Sequence, residues 1–375
     1  MKFRCERDDV LGAVQFASRA ISNRATLPVL SGLRIEAAEE GRVRVAATDL
    51  ELTMETTFQA AVDEPGRAIV PGRLFGEMTR SLASGQVSVA ATDAEVEIGS
   101  GRGQFRVKAL TPDDYPALPI EDRGESTGEA VQVDLDGEAL GSALAQVVRA
   151  ASSDESRQIL TGVLWEVQGD TLTLAATDSY RLAVREIPVS TPAGDDRRVV
   201  LPARALGELA RTLQGGSASV KASFKENLVA FTLASEAGEW VVGTRFIEGE
   251  FPKYRQLIPS GYSNTLTVDR ELLLEVTKRV GLLAQNNLPV KLQLGEELEI
   301  SAHTPDVGEG QEVIEAEYAG DPIVIAFNPI FLSDGVSAIN SQRVLMEVGD
   351  GLKPAILKGG EDDAFTYLLM PVRLS

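Results

Sequence analysis

Apolar residues recur at helical spacing along this chain, and between those runs they alternate. Val10, Val14, Ala17 and Ile21 share one face of a helix, as do Leu140, Leu144, Val147 and Ala151, and Leu272, Val276, Val280 and Leu283. Leu74, Met78 and Leu82, and Leu206, Leu209 and Leu213, mark two more faces. With the run at 329–340 this predicts six helices, over 9–22, 72–83, 136–151, 203–213, 269–285 and 329–340. Alternation at Leu33, Ile35 and Ala37, at Leu172 and Leu174, and at Ala218, Val220 and Ala222 predicts antiparallel strands with one buried and one wet face.

The pattern repeats. The tract from Leu160 to Val184 is answered by Leu30 to Met54, with Ser31-Gly32 against Thr161-Gly162 and Thr48-Asp49 against Thr177-Asp178. A fainter copy runs from Val290 to Val307, where His303-Thr304 stands in place of Thr-Asp. A second unit follows each copy, beginning at Ala68, Val199 and Ile325. The unit of strand, helix and several strands therefore occurs twice per repeat. A chain of 375 residues then divides into three α+β domains, 1–125, 126–260 and 261–375, with helices on one face and antiparallel sheets on the other. The boundaries fall in the polar stretches 121–129 and 259–264, which follow Tyr115-Pro116 and Phe251-Pro252.

Candidate chemistry is sparse. Cys5 is the single cysteine and reads as a buried structural thiol beside Phe3; it forms no intramolecular bridge, which fits a reducing compartment. No apolar run reaches the ~20 residues of a membrane span, and the first nine residues are too charged for a secretory signal, so a cytoplasmic location is expected. Phosphate loops, paired cysteines and zinc-protease motifs are missing from the sequence. His303 reads as a turn residue, and Asp49 and Asp178 read as turn-forming aspartates at strand ends rather than an acid and base. No catalytic group, metal or cofactor is expected.

The net charge of −20 argues against nucleic acid, but its distribution argues the other way. The six helical windows hold nine basic and nine acidic residues, so the whole deficit lies on strands and loops. Arg73 and Arg80, like Arg204 and Arg211, are seven residues apart and share a stripe facing away from the apolar one. A solvated face, partly neutralised by Glu77 and Glu208, is the plain alternative.

Five tracts then resemble the β subunit of bacterial DNA polymerase III, the sliding-clamp family. They are TLPVLSGL from Thr26, LAATDSYRLAV from Leu174, EFPKYRQLIP from Glu250, IAFNP from Ile325 and YLLMPVRL from Tyr367. The resemblance implies a homodimer, two chains head to tail in a ring around double-stranded DNA, bound without sequence preference. It also implies partners, the replicative polymerase, clamp loader and repair polymerases, that dock short hydrophobic peptides. Carried onto this sequence, the peptide site comprises Leu160, Thr177, Arg181, Leu182, Pro252, Leu257, Leu368, Met370, Pro371, Val372, Arg373 and Leu374. The dimer contact comprises Phe105 and Val107 on one side and Leu282 and Leu283 on the other. Arg24, Arg73, Arg80, Arg149, Arg204, Arg211, Lys278 and Arg279 form the expected DNA path. Ser179-Tyr180, Gln256 and Ser375 depart from residue types of some relatives. The competing reading is an acidic three-domain scaffold or enzyme that shares the repeat without encircling DNA.

Overall fold

The structure, a computed structural model, describes residues 1–21, 27–111, 114–118, 120, 131–189, 196–214, 216, 219–235, 238–259, 261–285, 288–360 and 364–374. Six α-helices lie within them: α1 (Arg7–Ala17), α2 (Gly72–Ser81), α3 (Gly137–Val147), α4 (Ala203–Leu213), α5 (Arg270–Gly281) and α6 (Pro329–Ala338). Each follows a strand directly and leads into antiparallel strands, so the expected unit occurs six times. Two starts are capped as sequence chemistry requires. The Asp269 carboxylate accepts from Leu272 N at 2.9 Å ahead of α5, and Asn328 Oδ1 accepts from Ile330 N and Phe331 N ahead of α6.

The chain forms two compact units. One gathers Met1–Glu138 and Arg211–Phe246; the other gathers Ala139–Val189, Asp195–Ala210 and Ile247–Ser375. The first unit contains a five-stranded sheet in the order Ala61–Glu64, Lys2–Glu6, Gln86–Ala91, Glu95–Ser100, Gly103–Lys108. Its second sheet has eight strands, in the order Val131–Asp136, Ser219–Lys225, Leu228–Ser235, Gly238–Arg245, Leu52–Gln59, Arg42–Thr48, Gly32–Ala37, Gly66–Pro71. Helices α1 and α2 pack on each other, and α1 touches both sheets; Phe16 meets Trp240 edge to face with ring centroids 4.5 Å apart.

The second unit repeats the scheme. Its nine-stranded sheet runs Arg197–Pro202, Gly162–Gln168, Thr171–Thr177, Arg181–Pro188, Phe365–Leu369, Ala355–Lys358, Arg343–Val348, Asn264–Asp269, Glu317–Ala319. Its four-stranded sheet runs Gly308–Ile314, Leu298–Thr304, Val290–Leu294, Ile323–Phe327. Helices α5 and α6 pack together, and α5 again touches strands of both sheets. In each unit the larger sheet joins strands that the repeat assigns to different domains.

Several expectations change on contact with the structure. Strands of the smaller sheets, such as Lys2–Glu6, keep a wet face, but Thr171–Thr177 and Leu52–Gln59 are buried along most of their length on both faces. Helices cover one side of these central strands. Connector residues cover the other: Leu118 and Ile120 with Ala46 and Ala230 in the first unit, Phe251 and Tyr254 with Ala175 and Leu182 in the second. On α2 the buried face is Gly72, Phe75 and Thr79, while Leu74 is 47% exposed, because the Phe75 ring takes the core position. On α5 Leu273 is buried and Leu272 points outward. The boundary stretch 121–129 lies outside the described residues.

Repeat equivalence holds down to single bonds. The Ser31 hydroxyl donates to Pro28 O and the Thr161 hydroxyl to Gln158 O, both at 2.7 Å. Gly32 and Gly162 follow, each with no room for a side chain against Ile69 or Val200. Cys5 is buried, and burial, with Asp9 and Glu6 nearby, pushes its thiol pKa up to about 12. No helix among the described residues is long and apolar enough to cross a membrane.

Helix α6 lies directly on the last strand, and Gly335 makes this possible: a Cβ there would sit 2.4 Å from the buried Tyr367 ring. Replacing glycine by alanine inside a helix ordinarily stabilises by about 1 kcal/mol, whereas forcing a methyl against a packed ring costs about 1–3 kcal/mol. The clash prevails, so Gly335→Ala lowers the melting temperature; an unchanged or raised value by calorimetry contradicts this packing.

Candidate functional site

The turn after Thr171–Thr177 organises the second unit's candidate site. The Thr177 hydroxyl donates to Arg181 O at 2.6 Å and accepts from Ser179 N, while Asp178 Oδ1 accepts from Tyr180 N and Arg181 N. Ser179 takes a left-handed conformation at φ 83°, as Leu50 does at φ 81° in the first copy. There Thr48 and Asp49 make the same bonds, to Leu52 O and from Glu51 N and Leu52 N. Both aspartates are therefore turn residues, as their position suggested. His303 is not: it sits within the strand Leu298–Thr304, exposed, 3.7 Å from Glu309. The buried Thr304 ends that strand as Thr48 and Thr177 end theirs, so the threonine, not the histidine, is the third equivalent.

Arg181 was expected to face a partner peptide, but its guanidinium turns inward. Its side chain is 9% exposed, with Nε 3.0 Å from Asp178 Oδ2, Nη1 2.6 Å from Asp334 Oδ2, and Cζ 4.4 Å from the Phe331 ring centroid. Burial pulls the guanidinium pKa down, yet Tyr367, Asp334 and Asp178 outweigh it and the net shift is upward. Burial also pushes the Tyr367 phenol up; its hydroxyl donates to Phe331 O at 2.9 Å. Asp334 and Tyr367 were missed from sequence, since nothing in their local pattern announces a partner 153 or 186 residues away.

The other residues expected at the peptide site divide by burial. Leu182 and Leu368 lie opposite each other in register and share a buried cluster with Leu164, Phe251, Tyr254 and Ile356. Leu160 and Thr177 are buried and Pro252 is half-buried, whereas Leu257 is exposed. The final strand ends at Leu369; Met370, 39% exposed, donates its N–H to Tyr180 O at 2.9 Å. Pro371 and Val372 are half-buried, and Val372 N donates to Ala326 O at 2.8 Å. Val372, Arg373 and Leu374 then form one wall of a cavity of about 930 Å³ whose other walls include Leu288, Lys291, His303 and Gln311. The tail thus begins beside Leu182 and ends against the four-stranded sheet of the second unit.

The basic residues occupy helix surfaces. Arg73, Arg80, Arg204, Arg211 and Lys278 are exposed, and on α4 Leu206, Leu209 and Leu213 are buried as expected. Arg73, Arg80 and Arg211 come together around a cleft of about 530 Å³ with Arg19, which sequence reasoning counted on its helix but did not select. Arg73 lies 3.2 Å from Glu77, a solvated pair worth little in water. Arg149 is exposed, with Nη1 3.7 Å from Asp334 Oδ1. Arg279 differs: Glu312 holds it through two bonds, at 3.0 and 2.9 Å, and Glu275 adds a third at 3.3 Å. These carboxylates raise its pKa and answer its charge locally. Arg24 lies outside the described residues.

Of the expected dimer residues, Phe105 and Val107 lie on an edge strand and Leu282 and Leu283 follow α5. Gly103–Lys108 is the last strand of the five-stranded sheet, with Phe105 exposed and Val107 buried. Gly308–Ile314 is the last strand of the four-stranded sheet. Beyond α5, Leu282 is 74% exposed; Leu283 follows and packs where Gly310 lacks a side chain.

Comparison with known proteins agrees along the whole chain. The N-terminal, central and C-terminal domain families of the DNA polymerase III beta subunit match residues 1–119, 134–253 and 255–373. The beta sliding clamp of Streptomyces coelicolor is 36% identical over 392 residues, with 100% of both chains covered. The solved sliding clamp of Bacillus subtilis superposes with a TM-score of 0.90 at 28% identity, again covering 100% of both chains. That of Pseudomonas aeruginosa bound to griselimycin gives 0.89 at 26%, with the same coverage. Three repeated domains with antiparallel sheets and paired helices are the clamp fold, and the chain belongs to the DNA polymerase III beta subunit family, the bacterial sliding clamps.

Proposed function

We propose that two copies of this chain, each built of clamp domains 1–125, 126–260 and 261–375, join head to tail in a ring around duplex DNA. As a beta sliding clamp the chain is a non-catalytic processivity subunit of DNA polymerase III, acting in DNA replication. The observation that carries the ring is the pair of open sheet edges. An open edge presents a row of backbone donors and acceptors ready to pair. A five-stranded and a four-stranded sheet meeting along Gly103–Lys108 and Gly308–Ile314 would make nine strands, matching the sheet within the second unit. Phe105 beside one edge and Leu282 and Leu283 beside the other supply apolar surface for the join.

The exposed cations Arg73, Arg80, Arg149, Arg204, Arg211 and Lys278, with Arg19 added, form the proposed DNA path; Arg24 belongs to it by resemblance, and Arg279 contributes less because Glu312 holds it. Such contacts reach phosphates and read no bases. Acidic strands and loops repel phosphate and favour keeping the duplex within the ring. The replicative polymerase, clamp loader and repair polymerases dock hydrophobic peptides at the surface bordered by Leu182, Leu257, Phe331 and the tail from Met370. Arg181 supports that surface from beneath. The site of action is the cytoplasm.

Two measurements test this reading. Sedimentation at micromolar concentration is expected to show a particle twice the 40.1 kDa chain, and Leu282→Asp, at a site 74% exposed and so harmless to folding, is expected to leave the single chain. A wild-type protein that sediments as a monomer contradicts the ring. Deleting residues 371–375 is expected to abolish binding of a labelled peptide carrying the clamp-binding segment of the same cell's replicative polymerase. Leu368 and Leu369 remain buried in their strand, so the melting temperature should fall only slightly. Early melting with unaltered peptide affinity would make the tail a purely structural element.

A further inference from the structure

We propose that Asp334 is a positioning residue that couples the DNA path to the partner-peptide site, a proposal that rests on both assignments above. The carboxylate lies on α6 and is shared by two arginines with different tasks. Oδ2 is 2.6 Å from Nη1 of Arg181, and Oδ1 is 3.7 Å from Nη1 of Arg149. The first distance is a charge-assisted hydrogen bond and the second is a looser ion contact. Arg181 is buried and held further by Asp178 and the Phe331 ring, whereas the Arg149 side chain is 60% exposed. Of the two partners, Arg149 is the one free to leave.

What Arg149 does therefore bears on Arg181. A DNA phosphate beside Arg149 competes with Asp334 for its guanidinium. Once Arg149 swings to the phosphate, the full charge of the carboxylate acts on Arg181. Arg181 pairs in register with Leu369, and its neighbour Tyr180 offers the carbonyl that holds Met370 N, so a firmer Arg181 fixes the point from which the tail leaves the sheet. Phe331, on which the guanidinium lies, borders the same surface. The motion is confined to a side chain, because α3 is joined independently to the end of α6 and to the residues just beyond it. Gln146 Nε2 donates to Ala338 O at 2.7 Å and Asn340 Nδ2 to Ser142 Oγ at 3.1 Å. The ring on DNA should therefore bind partner peptides more tightly than the free ring, and by linkage a bound peptide should hold DNA more tightly by the same factor.

The test is a titration of the labelled polymerase peptide into the full dimer, with and without a nicked circular duplex loaded through the ring. Wild type should bind about fivefold more tightly on DNA, at the low end of known couplings because the Arg149 contact is solvated. Arg149→Met imitates the released arginine: its affinity without DNA should rise to the DNA-bound value, and the response to DNA should vanish. Asp334→Asn should weaken binding in both states and also abolish the response, while Asp334→Glu restores part of it. A structural role alone would not tighten binding in Arg149→Met. Equal wild-type affinity with and without DNA overturns the coupling, as does a response that survives in Arg149→Met or Asp334→Asn. A wild-type protein that binds no peptide, or keeps no DNA, contradicts the sites themselves and removes the coupling with them.

Discussion

Backbone hydrogen bonding across domain junctions is the constraint from which the rest follows. An interior strand leaves no polar group of its main chain unpaired, and here interior strands belong to neighbouring domains. Arg181–Pro188 meets Phe365–Leu369 with Leu182 opposite Leu368, and Gly238–Arg245 meets Leu52–Gln59 with Val242 opposite Met54. The domains are therefore joined as sheets are joined. This is why the chain divides into two compact units although its sequence repeats three times: the central repeat gives strands to both. The same pairing delivers the tail beside Leu182 and brings Arg181 within reach of Asp334.

Function in such a protein needs little chemistry and much arrangement. Salt-sensitive contacts from a handful of exposed arginines would be weak on their own, and Glu77 and Glu312 weaken Arg73 and Arg279 further. Weakness suits a protein that slides. In the proposed ring, retention comes from enclosure, so the chain can carry a net charge of −20 and still hold a polyanion. The proposed partner surface follows a different logic, with buried Leu182 and Leu368 beneath and the exposed Tyr180, Leu257 and Met370 above.

Much of this was legible in the sequence because repeats expose themselves to direct comparison. The six helices, the strand-helix-strands unit and the aspartate turns all follow from pattern and spacing. Errors arose where burial was decided by something distant in sequence. Leu74 and Leu272 fit a helical stripe, but Phe75 and Leu273 took the core positions. Central strands lost their wet face to connector residues Ile120 and Tyr254, which no alternation could foretell. His303 lies one residue out of register with Thr48 and Thr177, whose counterpart at the strand end is the buried Thr304. Arg181 stands in a tract that resembles a peptide site, but its bonds to Asp334 and Tyr367 come from the fold alone.

Enclosure of DNA is the central claim, and topology distinguishes it from ordinary affinity. The most direct measurement loads the protein with its clamp loader onto a nicked circular duplex, removes free protein by gel filtration, and then linearises half of the sample. Retention on the circle at a salt concentration that dissolves phosphate contacts, with rapid loss from the linear ends, is the predicted result. Equal loss from circle and line, falling with salt alone, would contradict a ring.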